Sequence, residues 1–488
     1  MLRTDNILRL LILSLFVSGV TGQALADSKE EYLLIERSFQ DALYDLTINQ
    51  ADQFMKKYPE AAESGYALLY QGKALSQTGK YKQAVSIFSD IPKKAFPISV
   101  KEQAVYWEAE TYFKMNEYEI AADKFTKFYK DYPSSELAPI ASFSVGWCME
   151  RLSDKYAAQK AFEETYLQFS NSRYAADAEY HVGRISFEMT EFGQAIETLK
   201  RFLSNHRLHK KAPQAFYLLG ESYFNLKEYP EAIENFRKVL NTEQKDLFQT
   251  YVQHGIAWSL FQLEQYEESL NAFNTHVLSA GNNPIFDSFL FGKARSLQMI
   301  GQKEDALKVF ESVAKDFPGS GYADDALFWQ GEIYYEMGDY PIAIRQWEQM
   351  LTSYSSSELR EEAQYNLSWA LFNTGDDVRA MEYLFIIKES SRNPVIAASA
   401  ICRIGDVLIE KGKVEEAMRQ YDAVLQGFGD TLYAGYAQYQ LSNALMQAGN
   451  SDGAILGFRT LLKRYPTSLY VDDGMYALGY ALMRRGEY

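Results

Sequence analysis

The sequence is poor in the residues that build disulfide frameworks and metal sites. Only two of its 488 residues are cysteine and only five are histidine, so no network of disulfides is expected. Basic residues are also outnumbered, 49 against 65 acidic ones, and the formal net charge is -16. Such an acidic balance disfavours nucleic acid or an anionic membrane surface as the main partner.

Long apolar runs are absent too, and none after the N-terminus approaches the length of a membrane-spanning helix. At the N-terminus, Arg3 and Arg9 supply positive charge ahead of a short, mostly apolar segment from Leu10 to Val17, and Ala24-Leu25-Ala26 is a small-x-small cleavage site. We therefore predict a signal peptide over residues 1–26, cleaved near Ala26, and a periplasmic or secreted protein. A buried N-terminal helix is the alternative. No cysteine lies near the cleavage point, so no lipid anchor is expected.

What the sequence does contain is a repeat of 37 residues, which needs no insertion or deletion. A small residue stands nine positions before almost every repeat point. Alanine usually stands three positions after it, and a large apolar residue stands seven positions after every one but the first and the last. Chance does not produce such columns in one frame. The repeat points, called landmarks below, are Tyr44, Tyr81, Tyr118, Lys155, Phe192, Tyr229, Tyr266, Lys303, Tyr340, Asp377, Val414, Ser451 and Tyr488.

Each repeat predicts two helices. Residues 322–337 are apolar at helical spacing, Gly338-Asp339 interrupts them, and Pro341 suits the first turn of a second helix. A second break follows, for example at Tyr465-Pro466. Glycine inside a helix costs about 1 kcal/mol relative to alanine, so the small column is expected where two helices approach closely. No strand pattern is present, and no coiled coil is expected.

The spacing of Gly331, Tyr334, Ala343 and Trp347 resembles the tetratricopeptide repeat (TPR). The resemblance implies an all-α, TPR-like α-solenoid, a right-handed superhelix of helix-turn-helix units, here with a 37-residue period in place of roughly 34. The longer loop between repeats, as in YPTSLYVDD, resembles that of bacterial envelope proteins, namely the outer-membrane assembly lipoprotein and the Tol-Pal-associated periplasmic coordinator. We expect an atypical capping repeat over 27–60, then about eleven repeats and an incomplete one over 61–488.

Candidate catalytic or ligand-binding motifs are weak. His206 and His209 have the spacing of two metal ligands on one helical face, but no third ligand is near and a solvated basic loop is the better interpretation. Gly319-Ser320-Gly321 lacks the third glycine of a nucleotide-binding loop. We therefore expect no enzymatic activity, no cofactor and no metal.

Three columns of the first helix, twelve, eight and five positions before the landmark, are rich in aromatic residues. At about 100° per residue they lie at the edge of the helix–helix seam, on the flank that faces the inner groove in TPR proteins. Packing against the next repeat is the alternative, and the tryptophan column is interleaved with charges such as Glu110 and Arg184. The predicted groove residues are Trp147, Tyr217, Phe224, Trp258, Phe261, Phe328, Tyr335, Tyr365, Trp369 and Phe372.

The resemblance implies an exported protein–protein interaction scaffold of the bacterial cell envelope, which binds partner segments in the superhelix groove. Nucleic acid and a direct membrane span are not expected. Two alternatives stay open: the helical, non-catalytic region of a larger envelope enzyme of the lytic transglycosylase type, or a subunit of a polysaccharide or protein export complex. The last first helix carries Met475, Tyr476 and Tyr480 without a second helix to cover them, which suggests a longer array or a capping partner.

Overall fold

The structure, a computed structural model, describes residues 27–242, 245–277 and 285–486. The predicted signal peptide at 1–26 and the last landmark, Tyr488, lie outside the described residues. Regular structure in the described ranges is helical, without a strand. The chain divides into two compact units, Met1–Gly255 and Ile256–Tyr488, which are called the N-terminal unit and the C-terminal unit below.

The N-terminal unit begins with helix α1, which covers 27–40. A short 3-10 turn covers Ile91–Lys93. The last helix of this unit, α13 (Lys245–Gln262), contains the boundary to the C-terminal unit. Within the series from α2 to α12, consecutive helices pack against each other. The helices after α1 are α2 (Tyr44–Lys57), α3 (Ser64–Gln77), α4 (Tyr81–Asp90), α5 (Ile98–Lys114), α6 (Tyr118–Asp131), α7 (Ala138–Arg151), α8 (Lys155–Gln168), α9 (Ala175–Glu188), α10 (Phe192–Asn205), α11 (Ala212–Asn225), α12 (Tyr229–Leu240) and α13 (Lys245–Gln262).

In the C-terminal unit, consecutive helices from α14 to α25 pack against each other in the same way. These helices are α14 (Tyr266–Val277), α15 (Phe286–Met299), α16 (Lys303–Asp316), α17 (Ala323–Glu336), α18 (Tyr340–Ser353), α19 (Arg360–Thr374), α20 (Asp377–Ser390), α21 (Pro394–Glu410), α22 (Val414–Gly427), α23 (Tyr433–Gln447), α24 (Ser451–Arg464) and α25 (Val471–Arg485).

The helices follow the register of the sequence. Every landmark from Tyr44 to Ser451 is the first residue of an even-numbered helix, which is the second helix of its repeat. The odd-numbered helices are the first helices, and they carry the small column. The predicted fold class, an all-α TPR-like solenoid with a 37-residue period, is confirmed.

The small column lies in the seam between the two helices of a repeat, against the large residue seven positions after the landmark. A Cβ atom on Gly146 would lie 2.5 Å from the ring of Phe162, and one on Gly331 would lie 2.4 Å from the Nε1 atom of Trp347. Phe162 and Trp347 are fully buried. Burying one such side chain is worth about 1.5–3 kcal/mol, which offsets the poor helix propensity of glycine.

The turn between paired helices has a residue in the left-handed conformation two positions before the landmark. From Gly301 onward this residue is glycine, whereas most earlier repeats use other residues, such as Thr190 with a φ of 62°. The N–H of Glu191 donates to the carbonyl of Ser186 at 2.9 Å and closes the turn as in a Schellman motif. A left-handed conformation costs a residue other than glycine roughly 1–2 kcal/mol, so tertiary packing holds these early turns in place.

Candidate partner-binding surface

One column of the first helices, eight positions before the landmark, places tryptophans and charged residues at the edge of the seam. We call this column the Trp–charge column, and the ten members given in the next sentence are all half-buried. Its members are Lys73, Glu110, Trp147, Arg184 and Glu221 in the N-terminal unit, and Trp258, Arg295, Glu332, Trp369 and Asp406 in the C-terminal unit.

Burial shifts the pKa values of most charged members of this column toward the neutral form. It raises the pKa of the carboxyl groups of Glu110 and Glu221, and it lowers the pKa of Lys73 to about 8. Loss of hydration is the largest cause in each case. In the C-terminal unit, burial likewise lowers the pKa of Arg295 to about 10 and raises that of Asp406. The column therefore consists of partly dehydrated charges beside aromatic rings.

In the N-terminal unit, Trp147 lies in a cluster of rings. Its ring centroid is 4.9 Å from that of His181, and the imidazole stacks on Phe162 at 4.9 Å with 20° between the planes. Burial, and next to it the positive charge of Arg184, lower the pKa of His181 to about 3. The imidazole is therefore neutral at physiological pH and can accept a hydrogen bond.

Arg184 completes this cluster with three partners. Its Nη2 and Nε atoms lie 3.1 and 3.3 Å from Nδ1 of His181, and its guanidinium forms ion pairs with Glu150 and Glu188. Burial by itself lowers the pKa of Arg184, but the hydrogen bonds to these two carboxylates and their negative charges outweigh it and raise the pKa. The half-buried charge is thus neutralised by groups from the chain itself.

Trp258, in the C-terminal unit, is also engaged internally. Its Nε1 atom donates to Oγ of Ser288 at 3.3 Å. Its ring meets Phe261 and Phe273 edge to face, both with centroids 5.5 Å apart. This tryptophan packs against neighbouring helices of its own unit.

Trp369 has a different neighbour. The guanidinium carbon of Arg403 lies 4.3 Å from the Trp369 ring centroid and 4.9 Å from that of Phe372. The ring of Tyr365 also contacts the Trp369 indole edge to face, with the ring centroids 6.3 Å apart. Stacking of a guanidinium on an indole is a favourable cation–π contact, and it leaves the edge of the guanidinium available for hydrogen bonds.

All ten predicted groove residues lie on first helices, in local groups and not in one site. Phe328 is buried, and the other nine are half-buried. Phe224 and Tyr335 contact the landmark residues Tyr229 and Tyr340, with ring centroids 5.5 and 5.2 Å apart. Their role in binding stays a prediction. His181 and Arg403 were missed because both stand eleven positions before a landmark, in a column of mixed residue types.

The weak motifs of the sequence are not assembled into a site. Nε2 of His206 lies 3.9 Å from a Glu179 carboxylate oxygen, and Nε2 of His209 lies 3.9 Å from one of Asp177. Among the residues that the structure describes, no three His, Cys, Asp or Glu side chains group as metal ligands. Nor is any described helix long and apolar enough to cross a membrane.

Family comparisons agree with this architecture. A tetratricopeptide repeat-like domain family matches residues 288–443, and a tetratricopeptide repeat family matches 66–97, 103–135 and 436–468. The chain is a tetratricopeptide-repeat protein. Residues 143–329 match an outer membrane lipoprotein family, so the chain resembles TPR proteins of the bacterial envelope.

The solved structures that match this chain are distant from it in sequence. A tetratricopeptide repeat protein from Parabacteroides merdae is 16% identical, with a TM-score of 0.38, over 55% of this chain and 98% of that one. The Cut9–Hcn1 hetero-tetramer of the APC/C contains a chain that is 12% identical, with a TM-score of 0.35, over 96% of this chain and 99% of its own length. The comparison with curated proteins found no match.

Proposed function

We propose that this protein is an exported, non-enzymatic interaction scaffold of the bacterial cell envelope, which binds segments of partner proteins along its first helices. The Trp–charge column carries the proposal. Aromatic residues and arginine are the residue types that dominate binding energy at protein interfaces. A column that presents them half-buried in repeat after repeat offers a partner a series of anchoring points.

The charges of the column support this proposal because several are poorly neutralised. Neither Glu110 nor Glu221 has an ion-pair partner within 4.0 Å among the described residues, although burial disfavours their charged form. A partner that supplied a cation or a hydrogen-bond donor would relieve this cost. Matched charges along a peptide would then contribute to specificity and register.

The envelope location rests on two independent supports. Residues 143–329 match an outer membrane lipoprotein family, and the N-terminal sequence predicts a signal peptide. TPR and lipoprotein families of this kind are generally non-catalytic scaffolds, which supports the proposal that this chain is not an enzyme.

Site-specific photo-crosslinking in intact cells tests the proposal. A photoreactive amino acid at Trp147 or Trp369 should yield covalent adducts with a partner protein after illumination. The matched control positions are Tyr156 and Val378, which lie on second helices and are 69% and 72% exposed.

We expect adducts from the two column positions and few from the two control positions, with the protein recovered in the envelope fraction. Equal adducts at all four positions would show that contact is not selective for the first-helix face. A correctly folded protein that gives no adduct at either column position would contradict the proposal.

A further inference from the structure

A pocket of about 860 Å³ lies in the C-terminal unit, beside Trp369. Helices α19, α21 and α23 form its walls, and Arg464 at the end of α24 and residues from the loops at 429–432 and 465–470 close its sides. Six of the lining side chains are aromatic, and among them Tyr436 and Tyr470 contact each other with ring centroids 4.9 Å apart. A volume of this size accommodates several side chains of a bound segment.

Of the two arginines that line this pocket, Arg464 is exposed, and the half-buried Arg403 is the cation that faces Trp369. Its side chain is only 17% exposed, and its Nη1 atom lies 3.7 Å from a carboxylate oxygen of Glu410, whose own side chain is 65% exposed. The Nε atom is buried and has no hydrogen-bond partner among the described residues. A buried N–H donor without an acceptor is costly, so the guanidinium is suited to an acceptor that comes from outside.

The other carboxylate of this helix that lines the pocket, Asp406, does not supply that acceptor. Oδ1 of Asp406 accepts hydrogen bonds from the hydroxyls of Tyr421 at 2.8 Å and Tyr436 at 2.9 Å. No ion pair within 4.0 Å joins Asp406 to Arg403 in the described part of the chain. The two tyrosines therefore hold the acidic group, and the guanidinium keeps its hydrogen-bonding edge.

A second group in the pocket is unsatisfied in the same manner. The hydroxyl of Tyr465 is buried and lacks a hydrogen-bond partner among the described residues. At the rim, Leu432 and Leu469 are 73% and 92% exposed. The pocket thus combines two unused polar groups inside with apolar side chains at its mouth.

We propose that this pocket binds an acidic side chain of a partner segment, with the carboxylate on Arg403 and a neighbouring apolar residue against the rim leucines. A planar guanidinium stacked on an indole presents parallel N–H donors, which match the two oxygens of a carboxylate. The occupant is a peptide because the apolar rim calls for an apolar group next to the charge. The inference rests on the proposed function, whose partner segments supply that occupant.

Purified protein and labelled nine-residue peptides test the inference by fluorescence anisotropy. The probe is an amidated peptide with a central Leu-Glu-Tyr, and the comparison peptides carry Leu-Gln-Tyr with either an amide or a free carboxyl terminus. We expect the glutamate peptide to bind at least about tenfold more tightly than both glutamine peptides, because its carboxylate makes charge-assisted hydrogen bonds. Equal binding of the three peptides would overturn the proposal.

Variants of the protein locate the contact. Arg403→Met should remove the preference for glutamate, and Arg403→Lys, which keeps the charge but not the planar fork, should reduce it several-fold. Arg345→Met is the control, because Arg345 is exposed on second helix α18 and does not line the pocket. Thermal unfolding checks that each variant is folded, and Arg403→Lys decides the question if Arg403→Met does not fold. Glutamate preference that survives in a folded Arg403 variant would refute the assignment.

Three further outcomes are informative, and the last two separate this inference from the proposed function. Tighter binding of an oligogalacturonate than of the glutamate peptide would assign the pocket to an acidic glycan and overturn the peptide proposal. Partner adducts at Trp147 together with no preference for glutamate would leave the scaffold function in place and remove only the pocket. Glutamate binding that depends on Arg403, without adducts at Trp147 or Trp369, would keep the pocket and remove the proposed scaffold function.

Discussion

Trp147 in the N-terminal unit and Trp369 in the C-terminal unit stand at the same position of their repeats, yet their surroundings differ. In the first helix of the repeat after that of Trp147, histidine stands eleven positions before the landmark and arginine eight, as His181 and Arg184. In the first helix of the repeat after that of Trp369, the cation stands eleven positions before the landmark, as Arg403, and the column position is occupied by the acidic Asp406. Moving the guanidinium by about one helical turn changes which groups it can reach.

The consequence is one closed cluster and one open pocket. Arg184 reaches two carboxylates and an imidazole, so its charge is neutralised from within. Arg403 stacks on the indole, and its Nε atom stays without a partner in the described residues. A repeat protein can therefore keep one packing scheme and still vary its surface by exchanging two positions of a helix. The comparison yields three predictions, in order of expected effect.

The largest loss of stability should come from substitutions in the helix–helix seam, because both units have this seam. Gly146→Leu and Gly405→Leu should each destabilise their unit by about 3 kcal/mol or more, because a Cβ atom would lie 2.5 Å from Phe162 or 2.6 Å from Tyr421. Urea unfolding measures the loss. Gly479→Leu is the control, since nothing lies within 4 Å of a Cβ there; equal losses in all three variants would mean that the seam is wrongly assigned.

A smaller effect should separate the two arginines. Arg184→Met leaves the half-buried Glu150 without its cation, and we expect a loss of about 2–3 kcal/mol, less than for a fully buried pair because Arg184 is 22% exposed. Arg403→Met should cost less, about 1 kcal/mol, since it removes cation–π contacts with the Trp369 and Phe372 rings and an ion pair with an exposed carboxylate. Urea unfolding of the two variants gives both values, and similar losses would abolish the distinction between closed cluster and open pocket.

The smallest effect should be a pH dependence of the unfolding free energy that arises from His181 in the closed cluster. The pKa of His181 is lowered to about 3 in the folded protein, whereas an unfolded histidine titrates near 6.5. Below pH 6.5 the unfolded state binds the extra proton, so this residue makes stability fall as pH falls. Between pH 7 and 5 the wild type should lose about 2 kcal/mol more than His181→Asn.

The measurement for this third prediction is urea unfolding at pH 7 and pH 5 for both proteins. Carboxyl groups with raised pKa values, such as Glu110 and Glu221, are present in both and cancel in the difference. Identical losses in wild type and variant would show that the imidazole is protonated in the folded state.

The helix pairs and their seams were predictable because they depend on short-range rules. A helix needs apolar residues at a regular spacing, and close packing needs a small residue opposite a large one, as Gly331 lies opposite Trp347. Both requirements recur within a single repeat of 37 residues. The column of Trp147 and Trp369 at the seam edge followed from the same register.

The character of each tryptophan's environment was not predictable, because it depends on side chains from neighbouring repeats. Glu150 pairs with Arg184, and Tyr436 holds Asp406, across about one repeat length in each case. Local periodicity therefore determined that this chain is an array of helix pairs with aromatic residues along one flank. Only the packing of one repeat on the next decided where a charge is satisfied and where a donor stays free, because a hydrogen bond depends on distances of a few tenths of an ångström.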